Sequence, residues 1–158
     1  MIIKYIHIRE LSSTNSFAKS NINSFSKNCW TVITADTQTA GRGQNNSRWV
    51  DDNGGSLLMT IISPEISWNN NELMRAHMSG SLALKLFLEG YKNDITLKWP
   101  NDIFFKSKKI AGILSESNWK KEFCNRFFFG IGINIRSAPL DYEYLGADLI
   151  PSDMIKPI

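Results

Sequence analysis

The chain has 158 residues, 42% of them hydrophobic and 21% charged, and its formal net charge is +3. These values fit a single globular domain. They suit an anionic ligand better than a nucleic acid, which would favour a stronger basic surface. No apolar run reaches the ~20 residues of a membrane helix, the N-terminus has no signal-peptide core, and the two distant cysteines form no metal-ligand spacing. We therefore expect a cytoplasmic protein that binds neither DNA nor membranes.

The first part of the chain predicts three strands and a short helix. Residues 2–8 have the alternation of a strand. Residues 12–15 are all N-cap types, so a helix is expected to begin there and to run into the low twenties. Residues 30–36 and 56–63 predict two further strands. The loop between them, residues 37–55, is long for a compact domain, and loops of this length are often functional.

A long helix is predicted over residues 70–90, and a run of strands follows it. Apolar residues recur along this helix at helical spacing, and Gly90 suits its C-cap. We interpret His77, within the helix, as structural or solvated. The strands that follow cover residues 95–99, 103–105, 108–117 and 123–135. The sequence therefore predicts an α+β fold, with a mixed, largely antiparallel sheet and helices packed on one face.

The segment GRGQNNSRW, residues 41–49, places an arginine between two glycines and ends in a tryptophan. It is not a dinucleotide fingerprint, because Asn46 stands where the third glycine belongs. It is not a phosphate loop either, because no Gly-Lys-Ser/Thr follows. A plain surface turn is the ordinary alternative.

The last predicted strand has a face without large side chains. Gly130, Gly132 and Asn134 share this face, while Ile131, Ile133 and Ile135 can enter the core from the other. Glycine inside a strand often marks the close approach of a ligand or of another backbone. The pattern thus predicts either the floor of a flat pocket or tight packing of a helix on the sheet, and the residues alone do not decide between the two.

Three lysines lie close to turns or strand starts in the second half. Lys98, Lys108 and Lys109 would each be ordinary solvated residues if they stood alone. Their coincidence with small-residue strands and a Gly-Arg-Gly loop favours a site for an anionic ligand. Spacing does not choose among the three.

An ordered series of motifs resembles the catalytic domain of biotin protein ligases. The motifs are SSTN (12–15), QTAGRGQ (38–44) followed by Trp49, KWPND (98–102), KKIAGIL (108–114) and GIGINI (130–135). The resemblance covers roughly residues 1–136. It implies a sheet flanked by helices that is related to lipoate ligases and, more distantly, to class II aminoacyl-tRNA synthetases.

The resemblance also implies an ATP-dependent ligase. In such an enzyme biotin and ATP, with Mg²⁺, form biotinyl-5'-AMP and pyrophosphate. A lysine of the biotin carboxyl carrier domain of acetyl-CoA carboxylase then attacks the adenylate to form an amide. Members of the family often pair through a sheet edge, so a homodimer is a further expectation.

The resemblance assigns roles to individual residues. Biotin or adenylate contacts fall on Ser13, Thr14, Asn15, Gln38, Gly41, Arg42, Gly43, Gln44, Trp49, Lys109, Gly112, Leu114, Gly130 and Gly132. ATP or Mg²⁺ contacts fall on Asn101, Asp102 and Asn134. Arg42 and Lys109 are the expected catalytic residues, and Asp102 is the expected magnesium ligand. The ordinary alternatives are a core anchor for Trp49 and a turn cap for Asp102.

Three departures from the family pattern shape the expectations. Gln44 stands where many relatives carry a second arginine. No helix-turn-helix precedes Met1, so the DNA-binding version of the family is not expected. We expect residues 1–158 to form a catalytic domain without its C-terminal part and small C-terminal β domain. The alternatives are a lipoate or octanoate ligase or transferase, or a truncated module that binds biotin or biotinyl-adenylate without turnover.

Overall fold

The computed structural model describes residues 1–51 and 54–136. The strands are β1 (Ile3–Leu11), β2 (Trp30–Gln38), β3 (Ser56–Ile62), β4 (Ile95–Lys98), β5 (Asp102–Phe105), β6 (Lys108–Lys120) and β7 (Phe123–Asn134). The helices are α1 (Thr14–Ser20) and α2 (Asn70–Glu89), with 3-10 turns at Ile22–Ser24 and Gln44–Asn46. Every strand and helix that the sequence predicted within these residues is present, with boundaries that shift by a few residues.

The seven strands form one sheet in the order β1-β2-β3-β7-β6-β5-β4. β1 and β2 are parallel, and all other neighbours are antiparallel. This confirms the predicted mixed, largely antiparallel sheet. β7, the last strand within the described residues, lies at the centre of this order, so its glycines have neighbouring strands on both sides.

The two helices lie on opposite faces of this sheet, so the prediction that they share one face is wrong. A methyl group built on Gly80 of α2 would lie 2.6 Å from the ring of Phe129. A methyl group built on Gly130, the residue that follows Phe129 on β7, would lie 2.4 Å from Asn15 Oδ1 of α1. Adjacent residues of a strand point to opposite faces. The physical reason is the apolar run before Gly130, which gives both faces of β7 side chains that must be buried.

Two hydrophobic clusters correspond to these two faces. The cluster under α2 contains Leu88, Ile95, Ile103, Ile110, Ala111, Ile113, Cys124, Phe127, Phe129, Ile131 and Ile133. The smaller cluster under α1 contains Ala18, Phe25, Ile33, Ile62 and Phe128. The face with α2 therefore holds most of the core, and the face with α1 leaves room for a cleft beside the helix.

Both helices begin at residues whose polar side chains accept hydrogen bonds from the first backbone N–H groups of the helix. Ser13 Oγ accepts a hydrogen bond from the backbone N–H of Ser16, as predicted for the SSTN segment. Asn69 and Glu72 form a capping box at the start of α2. Among the helices of residues 1–51 and 54–136, neither has the length and apolar character needed to cross a membrane.

Candidate active site

A cleft of about 420 Å³ opens on the face of the sheet that carries α1. Its walls are the start of α1, the turn before β5 and the flap loop, which we define as residues 39–51. Its floor is formed by the central strands β6 and β7. The residues that line it are Ser13, Thr14, Asn15, Gln38, Arg42, Gly43, Gln44, Asn45, Ser47, Arg48, Trp49, Met59, Asn101, Asp102, Lys109, Gly112, Ile113, Leu114, Gly130, Ile131 and Gly132.

Three glycines on two adjacent strands make the floor flat. Gly112 of β6 pairs with Gly132 of β7, and Leu114 pairs with Gly130. The indole of Trp49 lies directly over two of them, because a methyl group on Gly132 would be 2.5 Å from its ring and one on Gly112 would be 3.0 Å from it. The glycines thus line the cleft and also admit close packing, by a loop tryptophan and by Asn15 of α1. The pocket and the packing interpretations describe the same surface.

The side of the cleft next to α1 is formed by a network of polar side chains. Gln38 Oε1 accepts hydrogen bonds from the backbone N–H of Thr14 at 2.7 Å and from its hydroxyl at 3.0 Å. Thr60 donates to Asn15 Oδ1 at 2.5 Å and lies 2.8 Å from Thr14 Oγ1. These side chains are held in fixed orientations, because Thr14, Asn15 and Thr60 are all buried. Thr60 was not expected from the sequence.

A β-bulge turns Lys109 toward the cleft. Asp102 pairs with Gly112 and Ile103 with Ala111, but the register then shifts so that Phe104 pairs with Lys109. Ile110 and Ala111 therefore both enter the core, and the lysine turns to the cleft face. Lys109 Nζ lies 2.7 Å from Asp102 Oδ1 and beside the Cα of Gly112.

The turn that carries Asn101 and Asp102 is tied to both α2 and β6. The backbone N–H of Ile113 donates to the carbonyl of Asn101 at 2.8 Å. His77 of α2 contacts the carbonyl of Pro100 through Nε2 at 3.1 Å and Ser115 Oγ through Nδ1 at 2.6 Å. Burial lowers the pKa of His77, although the hydrogen bond to Pro100 opposes this shift. His77 thus supports the turn from outside the cleft.

Arg42 reaches from the flap loop to Glu116 of β6. Its Nη2 donates to Glu116 Oε2, and the same carboxylate binds Lys19 Nζ at 2.8 Å and Asn15 Nδ2 at 3.0 Å. Burial alone would raise the pKa of Glu116. The hydrogen bonds from Lys19, Arg42 and Asn15, together with the charge of Arg42, nevertheless hold that pKa below its usual value. Sequence reasoning missed Glu116, although its even spacing from Gly112 on β6 places it on the cleft face.

The structure brings together fifteen of the seventeen residues that the sequence assigned to the site. Gly41 and Asn134 lie outside this cleft. Gly41 lines an adjoining cleft that shares several flap-loop residues with this one. Asn134 is buried at the end of β7, where its Oδ1 lies 3.4 Å from Ser56 Oγ. The arginine at position 48 lines both clefts and was not expected, because nothing in its spacing separates it from an ordinary loop cation.

Among residues 1–51 and 54–136 no group of three or more His, Cys, Asp or Glu side chains is arranged to hold a metal ion. A magnesium ion that accompanies a nucleotide needs only one or two protein carboxylates, since phosphate oxygens complete its coordination. The carboxylate of Asp102 has the oxygens for such a partial site, and its Oδ1 accepts a hydrogen bond from Asn101 Nδ2 at 3.0 Å.

Comparison with known proteins places these features in a family. The family model for the biotin/lipoate A/B protein ligase family matches residues 7–134. The bifunctional ligase/repressor BirA of Bacillus subtilis is 34% identical over 116 residues, which are 71% of this chain and 34% of that protein. A biotin–[acetyl-CoA-carboxylase] ligase of Paracoccus denitrificans is 31% identical over 132 residues, 80% of this chain and 52% of that protein. The chain thus spans about a third to a half of the length of these two relatives.

Solved structures agree with this assignment. The biotin protein ligase of Aquifex aeolicus in complex with biotin and ATP matches with a TM-score of 0.67 and 28% identity. The match covers 91% of this chain and 59% of that one. The seven-stranded sheet with its two helices is therefore the fold of this kind of ligase domain.

Proposed function

Because the chain belongs to the biotin/lipoate A/B protein ligase family, we propose that it activates biotin with ATP to biotinyl-5'-AMP and transfers biotin to a lysine of a carrier protein. The observation that carries the proposal is the convergence of Lys109, Arg42 and Trp49 on one cleft above three glycines. A flat floor beside two cations suits a thin, largely apolar ligand that ends in a carboxylate.

The first step joins two anionic groups. A carboxylate oxygen of biotin forms a bond to the α-phosphorus of ATP, and pyrophosphate leaves. Two unit charges ~4 Å apart at an effective dielectric of ~20 repel by about 4 kcal/mol, so the reaction needs cations at the point of contact. Lys109 lies beside the floor and Arg42 above it, where they would offset this repulsion. Mg²⁺ held by Asp102 would reduce the charge of the phosphates further.

In the second step the carrier lysine must react with the adenylate before water hydrolyses it. The neutral amine of a carrier lysine attacks the carboxyl carbon, AMP leaves, and the proton of the amine passes to solvent. A flap loop that closes over the cleft would shield the mixed anhydride. Trp49 is suited to this cover, because its indole already lies against Gly132.

The cleft also presents polar groups for a ligand. Trp49 Nε1 is buried and has no hydrogen-bond partner among the residues that the structure describes. A buried donor left unpaired costs about 1–3 kcal/mol, so a ligand oxygen at this position would be stabilised. On the side of the cleft next to α1, Thr14, Asn15 and Gln38 would contact the ureido head group. The relative from Paracoccus denitrificans is named for acetyl-CoA carboxylase, and we propose the biotin carboxyl carrier domain of that enzyme as the partner.

Isothermal titration calorimetry with biotin, first alone and then with Mg-ATP, tests the proposal together with a pyrophosphate-release assay. A ligase binds biotin and releases pyrophosphate only when both substrates are present. Biotin binding without pyrophosphate would instead identify a binding module without turnover. Binding of lipoate or octanoate in place of biotin would identify the other branch of the family.

Two adjacent lysines provide a matched pair of variants for this assay. Lys109→Gln should lower the rate of pyrophosphate release about 10²–10³-fold, the usual effect of removing one preorganised donor to developing charge. Lys108→Gln should keep the wild-type rate, because Lys108 is exposed and does not line the cleft. Equal rates for the two variants would remove Lys109 from the mechanism.

A further inference from the structure

Glu116 joins three parts of the site through one carboxylate. Its Oε1 binds Lys19 of α1, and its Oε2 binds both Asn15, at the wall of the cleft, and Arg42, in the flap loop. The side chain is only 17% exposed, so these bonds form in a partly dehydrated environment where charge-assisted hydrogen bonds are strong. The sheet thus holds the loop at a point next to the ligand cleft.

Apart from the packing of Trp49 on Gly112 and Gly132, the middle of the flap loop has few other ties to the sheet. Its base is fixed by backbone bonds from Thr39 to Leu11 and from Ala40 to Ser12, both 2.9 Å long. The remaining backbone hydrogen bonds described for residues 41–49 close the loop on itself, from Gly43 to Ser47, from Ser47 to Gln44 and from Trp49 to Gly41. Among the described side chains of residues 41–49, the Arg42 contact to Glu116 is the one hydrogen bond that reaches the sheet.

We propose that Glu116 is a positioning residue that holds the flap loop over the cleft by its ion pair with Arg42. The consequence follows from the shared oxygen atom: Asn15 and Arg42 bind the same Oε2, so the wall of the cleft and its cover are fixed relative to each other. The identity of the ligand under the loop rests on the proposed function, but the ion pair acts on the unliganded protein and can be tested without any ligand.

The ionisation of Glu116 agrees with this role. Although burial opposes it, the hydrogen bonds from Lys19, Arg42 and Asn15 lower the pKa of Glu116. The carboxylate is therefore charged at neutral pH, and Arg42 meets an anion rather than a neutral acid.

Limited trypsin digestion of the full chain measures how often the loop opens, because Arg48 lies within it. The rate of cleavage after Arg48 is followed without ligand for wild type, Glu116→Gln, Arg42→Gln and the double variant. We expect each single variant to be cleaved roughly fivefold faster, since a partly exposed ion pair contributes about that factor to a local equilibrium. The double variant should be cleaved no faster than either single variant, because both remove the same interaction.

A matched control distinguishes the effect of the Arg42 contact from the effect of the other contacts that Glu116 makes. Lys19→Met removes another partner of Glu116 but leaves Arg42 in place, so cleavage after Arg48 should keep the wild-type rate. Raising the salt concentration from about 0.05 to about 0.5 M should narrow the difference between wild type and Glu116→Gln, because salt screens the ion pair. A general loss of packing would not give this dependence.

Wild-type cleavage rates in both single variants, with thermal melting by circular dichroism showing that they are folded, would overturn the proposal. If Glu116→Gln does not fold, the comparison of Arg42→Gln with wild type decides alone. Biotin with Mg-ATP is added in a separate experiment and should slow cleavage of the wild-type protein. A lack of such protection counts against the proposed function and leaves the result for Glu116 unaffected.

Discussion

The two faces of β7 are one residue apart in sequence and serve different purposes. On one face Phe127, Phe129 and Ile133 pack into the main core under α2. On the other, Gly130 and Gly132 meet Asn15 and the ring of Trp49. The strand thus supplies buried area on one side and the absence of side chains on the other. Neighbouring substitutions on β7 should therefore separate stability from ligand binding.

Both faces contain a glycine against an aromatic ring, and the difference lies in what the ring can do. Gly80 approaches Phe129 as closely as Gly132 approaches Trp49. Phe129 is a buried core side chain and cannot move without opening a cavity. Trp49 belongs to a loop and can swing away. Adding a side chain at Gly80 should therefore lower the stability of the fold, whereas adding one at Gly132 should lower the affinity for the ligand.

The largest effect is expected from Ile133→Ala on the core face. Ile133 is 3% exposed, and truncating a buried isoleucine to alanine typically lowers the free energy of unfolding by about 2–5 kcal/mol. Urea denaturation followed by circular dichroism measures this change. Biotin affinity of the protein that remains folded should be unchanged. A loss of affinity without a loss of stability would show that the two faces are not separate.

Gly132→Val tests the opposite face at the adjacent residue. The new side chain would occupy the space of the Trp49 indole and displace it from the floor of the cleft. We expect biotin affinity, measured by calorimetry, to fall about 100-fold or more, equivalent to roughly 2.7 kcal/mol. The free energy of unfolding should change by no more than about 1 kcal/mol, because valine suits a strand. Retained affinity would mean that Trp49 is not part of the binding surface.

Gly80→Val is the control on the core side for this glycine contact. A side chain at this position of α2 would overlap the ring of Phe129, and overpacking of a core costs about 1–3 kcal/mol. Thermal or urea denaturation should show that loss, while biotin affinity stays at the wild-type value. An unchanged unfolding free energy would indicate that α2 can shift away from the sheet without cost.

The sequence predicted the local elements well because their signals are local. The alternation that begins at Gly130 placed Ile131 and Ile133 in the core, and the N-cap residues placed the start of α1. Local signals do not determine the order of the strands or the faces taken by the helices, because these depend on pairing between distant segments. The apolar run Phe127–Phe129 contained the signal that both faces of β7 are buried.

In the candidate site, too, some residues have a local signal in the sequence and others are placed by the pairing of distant strands. The motifs assigned Lys109 a role, but spacing could not select it over Lys108, because a β-bulge at Ile110 determines which lysine faces the cleft. Glu116 and Thr60 belong to none of the motifs. They join the site through register, since Glu116 follows Gly112 at even spacing on β6 and Thr60 pairs with Gly130.

The smallest expected effect is a pH-dependent contribution of Glu116, on the cleft face, to the free energy of unfolding. The pKa of Glu116 is lower in the folded protein than its usual value, through its bonds to Lys19, Arg42 and Asn15. Its contacts therefore stabilise the fold above the unfolded value of about 4.3, and this contribution is lost as the pH falls below that value through the folded pKa. Urea denaturation at about pH 7 should show Glu116→Gln less stable than wild type by on the order of 1 kcal/mol. At a pH low enough to protonate Glu116 in the folded protein the two proteins should converge, whereas the deficit of Ile133→Ala should persist, because an apolar contact has no proton to gain. A deficit of Glu116→Gln that is equal at both pH values would show that the carboxylate contributes by shape and not by charge.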